Sequence, residues 1–354
     1  MDTQPLFDST EAVSDAKALR TAASRDGYLF VKRLLPPRTV QQVGEEMGAV
    51  MADAGWIEPG VPLTRAAVNE AARCVEPQPA FMEVFYKQLS HKSVHALKAH
   101  PALMKLLESL FGGDVLCVPH CVMRMAFPGM DDYATPAHQD YVHFEGSRNN
   151  WAAWIPFTPI TQETGGIAVA AGTHRGEPRD MRPSLGAGQM IIDEDLSQLD
   201  WRWSPMDPGD VIIHNCLTIH RGLPNRSSTM RVSVDARYQP IHEPVGEKYL
   251  GVSHQMKTWD DLYAGWEGDE YKYYWRDFRL DVVPFTYEWY DRRDEKAIAM
   301  GEAGDPEASV ALENITLKHR DLAVRARAQR ALEQLQTSRQ SASRRALFES
   351  GQPS

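Results

Sequence analysis

The stretch that most constrains this chain is Thr135-Pro-Ala-His-Gln-Asp-Tyr141, which sets His138 and Asp140 on either side of Gln139. In an extended strand, residues i and i+2 point to the same face. An imidazole and a carboxylate are then presented side by side, and Gln139 points away. A second imidazole, His220, must arrive from a neighbouring strand. Two histidines and one carboxylate on one side of a metal leave the opposite positions open, the arrangement used at non-heme Fe(II) centres. Arg231 follows His220, and a planar guanidinium can hold a carboxylate at two points. Ser233 adds a hydroxyl for the same carboxylate. A His-x-Asp pair alone is a weak signal; the ordered set His-x-Asp, His, Arg-x-Ser is much stronger.

With these residues the chain resembles the phytanoyl-CoA dioxygenase family of Fe(II)/2-oxoglutarate oxygenases. The matching text is His138-Gln-Asp140, Glu163-Thr-Gly-Gly-Ile-Ala-Val-Ala-Ala-Gly-Thr-His-Arg-Gly176, Gly209-Asp-Val211, His220-Arg-Gly222 and Arg231-Val-Ser233. The likeness runs from about Asp26 to about Tyr238. It implies a double-stranded β-helix fold, Fe(II) held by His138, Asp140 and His220, and 2-oxoglutarate and O2 as co-substrates. It also implies that His174 shapes the barrel without ligating the metal. Related halogenases replace the carboxylate with a small residue so that halide can bind iron; Asp140 is present here, which favours hydroxylation or another oxidation.

Composition narrows the partners. A net charge of −10 gives no support for nucleic acid or an anionic membrane. The four cysteines, Cys74, Cys117, Cys121 and Cys216, are too scattered for a disulfide scaffold, and Cys117 and Cys121 lack the second pair of a zinc motif. No apolar signal core and no long apolar run is present. These features fit a reducing cytoplasm.

The pattern along the chain predicts a mainly β fold with flanking helices. Helices are expected over 14–26, 36–54 and 81–110, with a short strand at Tyr28–Val31 between the first two. From Val115 the apolar period changes to two, and strands are expected over 115–127, 151–158, 165–171, 211–214 and 231–238. Many short strands without intervening helices point to a cupin-type jelly roll spanning about 114–240. In the last strand Arg231, Ser233, Asp235 and Arg237 share one face, and Val232, Val234, Ala236 and Tyr238 the other. The whole reads as one domain, with an N-terminal helical part over 14–112, a C-terminal extension over 241–337 and a disordered tail over 338–354.

Rivals for each role are few. His214 reads as a barrel-wall residue, and a continuing strand would turn His143 away from Asp140. Arg226 and Arg237 compete with Arg231 for the co-substrate; Arg226 sits in a polar turn. Arg124, on an apolar strand, is either half of an ion pair or a co-substrate contact. Trp154 is open between core and pocket. Residues 246–296 hold 13 of the 32 aromatic residues. They pack outside the barrel, cover the substrate or form a homodimer contact, and Trp259, Tyr263 and Trp266 are the first candidates for substrate contact. The expected activity is oxidation of a C–H bond in a small metabolite. No basic cluster suits the phosphates of a CoA thioester. Two alternatives are a metal-free cupin-like binding module and a metal-dependent cupin enzyme that does not use 2-oxoglutarate.

Overall fold

The alternation read in residues 231–238 is the axis of the computed structural model, which describes residues 3–252 and 258–349. The strands are β1 (Tyr28–Val31), β2 (Val115–Ala126), β3 (Trp151–Pro156), β4 (Gly166–Ala170), β5 (Met181–Pro183), β6 (Met190–Ile192), β7 (Trp201–Arg202), β8 (Val211–Asn215), β9 (His220–Leu223), β10 (Arg231–Pro240), β11 (Val245–Gly246) and β12 (Val282–Val283). The helices are α1 (Ala16–Asp26), α2 (Pro37–Asp53), α3 (Pro79–Leu89), α4 (Lys92–Lys98), α5 (Pro101–Phe111), α6 (Tyr141–Phe144), α7 (Glu247–Leu250), α8 (Trp259–Tyr263), α9 (Glu288–Glu302), α10 (Ser309–Lys318) and α11 (Leu322–Glu349). The fold is therefore mixed helix and sheet, and its principal sheets are small and antiparallel.

The larger sheet runs β1-β8-β3-β10-β2, and a three-stranded sheet runs β7-β4-β9. Cross-strand register puts Arg231, Ser233 and Asp235 opposite Ala126, Arg124 and Val122 of β2, and Ser233, Asp235 and Arg237 opposite Pro156, Trp154 and Ala152 of β3. Directly opposed residues share a face, so one face of this sheet is polar. The other face carries Met123, Met125, Ala153, Ile155, Ile213, Val232, Val234 and Ala236, all buried in one core with apolar residues of α2, α3, α4 and α5. A bulge between Ala236 and Tyr238 shifts the register to β2. Tyr238 still lies in that helix-covered core.

The single helix expected over 81–110 is three. His91 and His100 take extended backbone at the N-caps of α4 and α5, and Pro101 opens α5. Proline is accepted in a first turn and disfavours helix in the residue before it. The short strands β5, β6 and β7 were not anticipated, whereas β9 is the strand from which His220 was expected to arrive.

The chain divides into two compact units, 1–178 with 195–285, and 179–194 with 286–354. The sequence reading had a single domain. The second unit has its own core, in which Ala297, Ile298, Leu312, Ile315, Ala328 and Leu332 are buried together. α11 continues to Glu349, past the helix end expected near Gln336. Its alanines, arginines, leucines and glutamines are good helix formers, which accounts for the difference. The end of the expected disordered tail, 350–354, lies outside the described residues.

Trp259, Tyr263 and Trp266 are placed in the helix-side core. The Trp259 indole N–H donates to Leu250 O at 2.9 Å and that of Trp266 to Ser90 O at 2.7 Å. The Trp266 ring lies 4.8 Å from that of His95. Burial, followed by the charge of Lys98, holds His95 well below the usual histidine range. His95 Nε2 is 2.9 Å from Leu89 O, so in the neutral ring Nε2 carries the proton. The unfolded chain takes up a proton near pH ~6.5 and the folded chain does not, so stability falls as the pH drops below that value. Urea titrations between pH 7.5 and 5 are expected to show a pH slope that His95→Gln reduces by up to about 1.4 kcal/mol per pH unit. Equal slopes in the two proteins would refute this.

Candidate metal centre

His138 does not sit in a long strand. It forms an isolated antiparallel bridge with His220, the first residue of β9. The His138 N–H donates to His220 O at 2.9 Å, and the His220 N–H donates to His138 O at 3.1 Å. Asp140 follows with helical backbone at the start of α6. The side-by-side imidazole and carboxylate expected of a strand are thus made by a bridge followed by a turn. Gln139 does bond elsewhere, its amide N–H donating to Leu217 O at 2.6 Å.

One ligand atom from each of His138, Asp140 and His220 lies within 4.8 Å of the others, and all three residues are buried. The His138 Nδ1 is 2.8 Å from Pro136 O, and the His220 Nδ1 is 3.0 Å from Thr218 O. A carbonyl only accepts, so each Nδ1 carries the hydrogen and each Nε2 keeps its lone pair. Ligating histidines are typically fixed in this way. Burial would raise the Asp140 pKa, but the Arg237 charge and the neighbouring imidazoles outweigh it and hold the carboxyl well below its usual range. Burial, then the charges of His214 and His138, keep His220 well below the ordinary histidine range. The donor set is two imidazoles and a carboxylate, groups that hold a divalent cation in their deprotonated forms.

His214, opposite Ala152 in the sheet, lines the wall with its ring 4.2 Å from that of His220. His174 lies against Gly27, where an added Cβ would come within 2.3 Å of its Nδ1. His143 is a correction: the turn of α6 replaces the continuing strand and brings its ring 5.6 Å from that of His138.

Arg231 is buried, with Nη1 donating to Thr164 O at 3.1 Å and also to Leu223 O. Both acceptors are neutral carbonyls, and among the described residues no carboxylate pairs with it. Burial and then the charge of Arg124 push its pKa down to about 10. Ser233 Oγ, on the same face, is buried without a partner among the described residues. Arg124 Nε bonds Asp235 at 2.8 Å, so the ion-pair reading of Arg124 is realised. Arg226 is exposed and pairs with Asp131. Trp154 is buried among Tyr28, Phe30, Ile167, Val169 and Ile212, between residues of the two sheets.

The sequence reading missed three neighbours of the triad. Arg237, noted only as a rival for the co-substrate, bonds Asp140 through Nη2 at 3.1 and 3.2 Å. The Phe144 ring lies under that guanidinium at 4.7 Å, and Tyr249 stacks on Phe144 at 4.6 Å. Arg237 could have been found from the polar face of β10. Nothing in the spacing pointed to Tyr249.

A family model for phytanoyl-CoA dioxygenase (PhyH) matches residues 23–233, more than half of the chain. The chain belongs to the PhyH family. Among curated relatives, the 1-deoxypentalenic acid 11-beta-hydroxylase of Streptomyces arenae is 29% identical over 253 residues, covering 66% of this chain and 84% of that protein. The peroxisomal phytanoyl-CoA dioxygenase of Homo sapiens is 22% identical over 255 residues, covering 65% and 73%. Among solved structures, the epimerase SnoN in complex with Fe3+, alpha ketoglutarate and nogalamycin RO superposes with a TM-score of 0.50 at 18% identity, covering 69% of this chain and 93% of that one. At that identity the likeness speaks for the PhyH-type fold alone. Among the described residues, no helix is long and apolar enough to cross a membrane.

Because the PhyH-type donors must be deprotonated, protons compete with metal. A Co(II) titration followed by visible absorption is expected to show one site per chain that weakens on acidification. His220→Ala should weaken it by on the order of 100-fold or more, since closed four-ligand zinc sites are worth ~10–16 kcal/mol. Wild-type affinity in that variant would remove His220 from the site.

Proposed function

We propose that this chain is an Fe(II)- and 2-oxoglutarate-dependent dioxygenase that hydroxylates an unactivated C–H bond of a small-molecule metabolite, with release of succinate and CO2. The observation that carries the proposal is the pairing of a buried two-histidine, one-carboxylate cluster with a buried, carboxylate-free arginine, Arg231, on the polar face of β10, the face whose Arg237 bonds Asp140. The first is what Fe(II) needs, and the second is what a dicarboxylic co-substrate needs. The two antiparallel sheets, with Trp154 between them, support a double-stranded β-helix whose polar interior face is the site.

His138, Asp140 and His220 would hold the iron, which supplies the redox chemistry that couples O2 and 2-oxoglutarate to C–H oxidation. The protein's own contribution is binding and orientation. Arg231 carries a charge that burial penalises, so an arriving carboxylate is bound by a cation already desolvated and fixed by two carbonyls. Ser233 Oγ lies on the same face to donate to that carboxylate. Arg124 is tied to Asp235, which supports an electrostatic role, the second cation against which Arg231 is held, over direct co-substrate binding.

The prime substrate is a small molecule. The hydroxylase relative from Streptomyces arenae is named for 1-deoxypentalenic acid, which supports a small metabolite over a CoA thioester, for whose phosphates the sequence offers no basic cluster. Trp259, Tyr263 and Trp266 lie in the helix-side core, which supports a packing role for them.

Succinate formation from 2-oxoglutarate with Fe(II) and ascorbate, screened over metabolites, tests the reaction. Arg231→Lys is expected to raise KM for 2-oxoglutarate about tenfold or more, because a point charge replaces a two-point fork worth on the order of 1.5–3 kcal/mol. Unchanged 2-oxoglutarate kinetics in that variant would exclude Arg231 as the clamp.

A further inference from the structure

Asp140 is the one member of the triad with no anchor in its own backbone. Each histidine ring is fixed by a carbonyl two residues before it. Asp140 stands at the start of a one-turn helix and makes no side-chain cap bond there. What holds its carboxylate is Arg237, whose Nη2 reaches both oxygens, while His138 Nε2 lies farther off at 3.7 Å.

Arg237 is costly where it is. It is 1% exposed, and its Nε and Nη1 are buried without acceptors among the described residues. An apolar side chain of similar length would fill the same volume and leave no donor unmet. The single bonded nitrogen therefore explains the residue, and it serves Asp140. The guanidinium is in turn held flat. The Phe144 ring lies 4.7 Å from it, and the Tyr249 ring lies 4.6 Å behind Phe144 at an interplanar angle of 6°. The Tyr249 hydroxyl has no partner among the described residues, so the ring, not the hydroxyl, is in use.

Two glycines bring these layers together. Gly146 bridges to Val245. A Cβ on Gly246 would sit 2.3 Å from Phe144 O, and one on Gly146, at φ +87, would sit 2.4 Å from Gly246 N. Only glycine permits that approach. The segment just past the large sheet is thereby pressed onto the turn that carries Asp140.

We propose that Arg237 is a positioning residue that restricts Asp140 to one-oxygen ligation, with Phe144 and Tyr249 holding the guanidinium in plane. The inference rests on reading the triad as a metal site. A carboxylate free to rotate can chelate through both oxygens and occupy a position that a bidentate co-substrate needs. Arg237 Nη2, at 3.1 and 3.2 Å from the two oxygens, already takes the chelating position of the carboxylate, so a metal is left a single oxygen and the co-substrate position stays open.

The test uses the whole chain loaded with Co(II), whose visible d–d absorption reports coordination number, with metal affinity from the same titration. Arg237→Met is expected to bind Co(II) about 10–100-fold more weakly, the usual consequence of losing a ligand's supporting partner, and to change the d–d intensity. Arg237→Lys should recover part of both. Tyr249→Leu should move the spectrum the same way by less, and Tyr249→Phe should leave it alone. Wild-type affinity and spectrum in Arg237→Met overturn the inference. Should that variant fail to fold, a wild-type spectrum in Arg237→Lys and Tyr249→Leu together does the same. A wild-type chain that binds no Co(II) overturns the metal reading itself, and the inference with it.

Discussion

The reciprocal pair of backbone hydrogen bonds between His138 and His220 is the constraint on which the site depends. It joins two residues distant in sequence at a fixed separation with side chains on one side, as a hydrogen-bonded antiparallel pair does. β9 then extends from His220 against β4, and α6 begins three residues after His138. A slip of one residue at this bridge would turn one imidazole to the wrong face. The pairing of β4 with β9 and the binding of Gly222 N to Thr135 O at 2.9 Å protect the register on both sides.

Around that bridge the protein buries positive charge in two different ways. Arg237 is neutralised inside the fold by Asp140, and its pKa rises despite burial. Arg231 is given only carbonyls, and its pKa falls. The same residue type, six positions apart on the same sheet face, is in one case paired with a carboxylate and in the other, among the described residues, met only by neutral carbonyls. In the proposed function, that difference separates the arginine that serves the fold from the arginine that meets the co-substrate.

The legible parts of the sequence were those governed by short-range periodicity. β1 was read to the residue, and the faces of β10 followed from alternation alone. The three residues that meet in the cluster, His138, Asp140 and His220, were legible because their order and spacing are unusual together. The backbone that carries Asp140 was not, since a bridge and a turn can place two side chains as a strand does, and only the position of His143 tells them apart. The partner of Asp140 was hidden for another reason. Arg231 and Arg237 look alike in a strand, and which of them meets a carboxylate is decided by a residue from outside the sheet. Trp259, Tyr263 and Trp266 were attractive because they are aromatic and follow the barrel, yet proximity in sequence to β10 says nothing about which side of β2 the chain passes. Tyr249, before them, stacks on Phe144 beside Arg237.

The hairpin β5–β6 has a consequence for synthesis. Its two three-residue strands pack with helices that begin only after Thr286. A hairpin of that length is at best marginal in water. On a ribosome adding about 10 residues per second, the loop that leaves after Ala170 and returns at Trp201 stays open for on the order of ten seconds before its partners emerge. The first unit can close its two sheets during that interval with the loop hanging out unfolded. The C-terminal helices then meet a hairpin tethered at both ends, so the second unit is completed only after the last part of the chain has emerged.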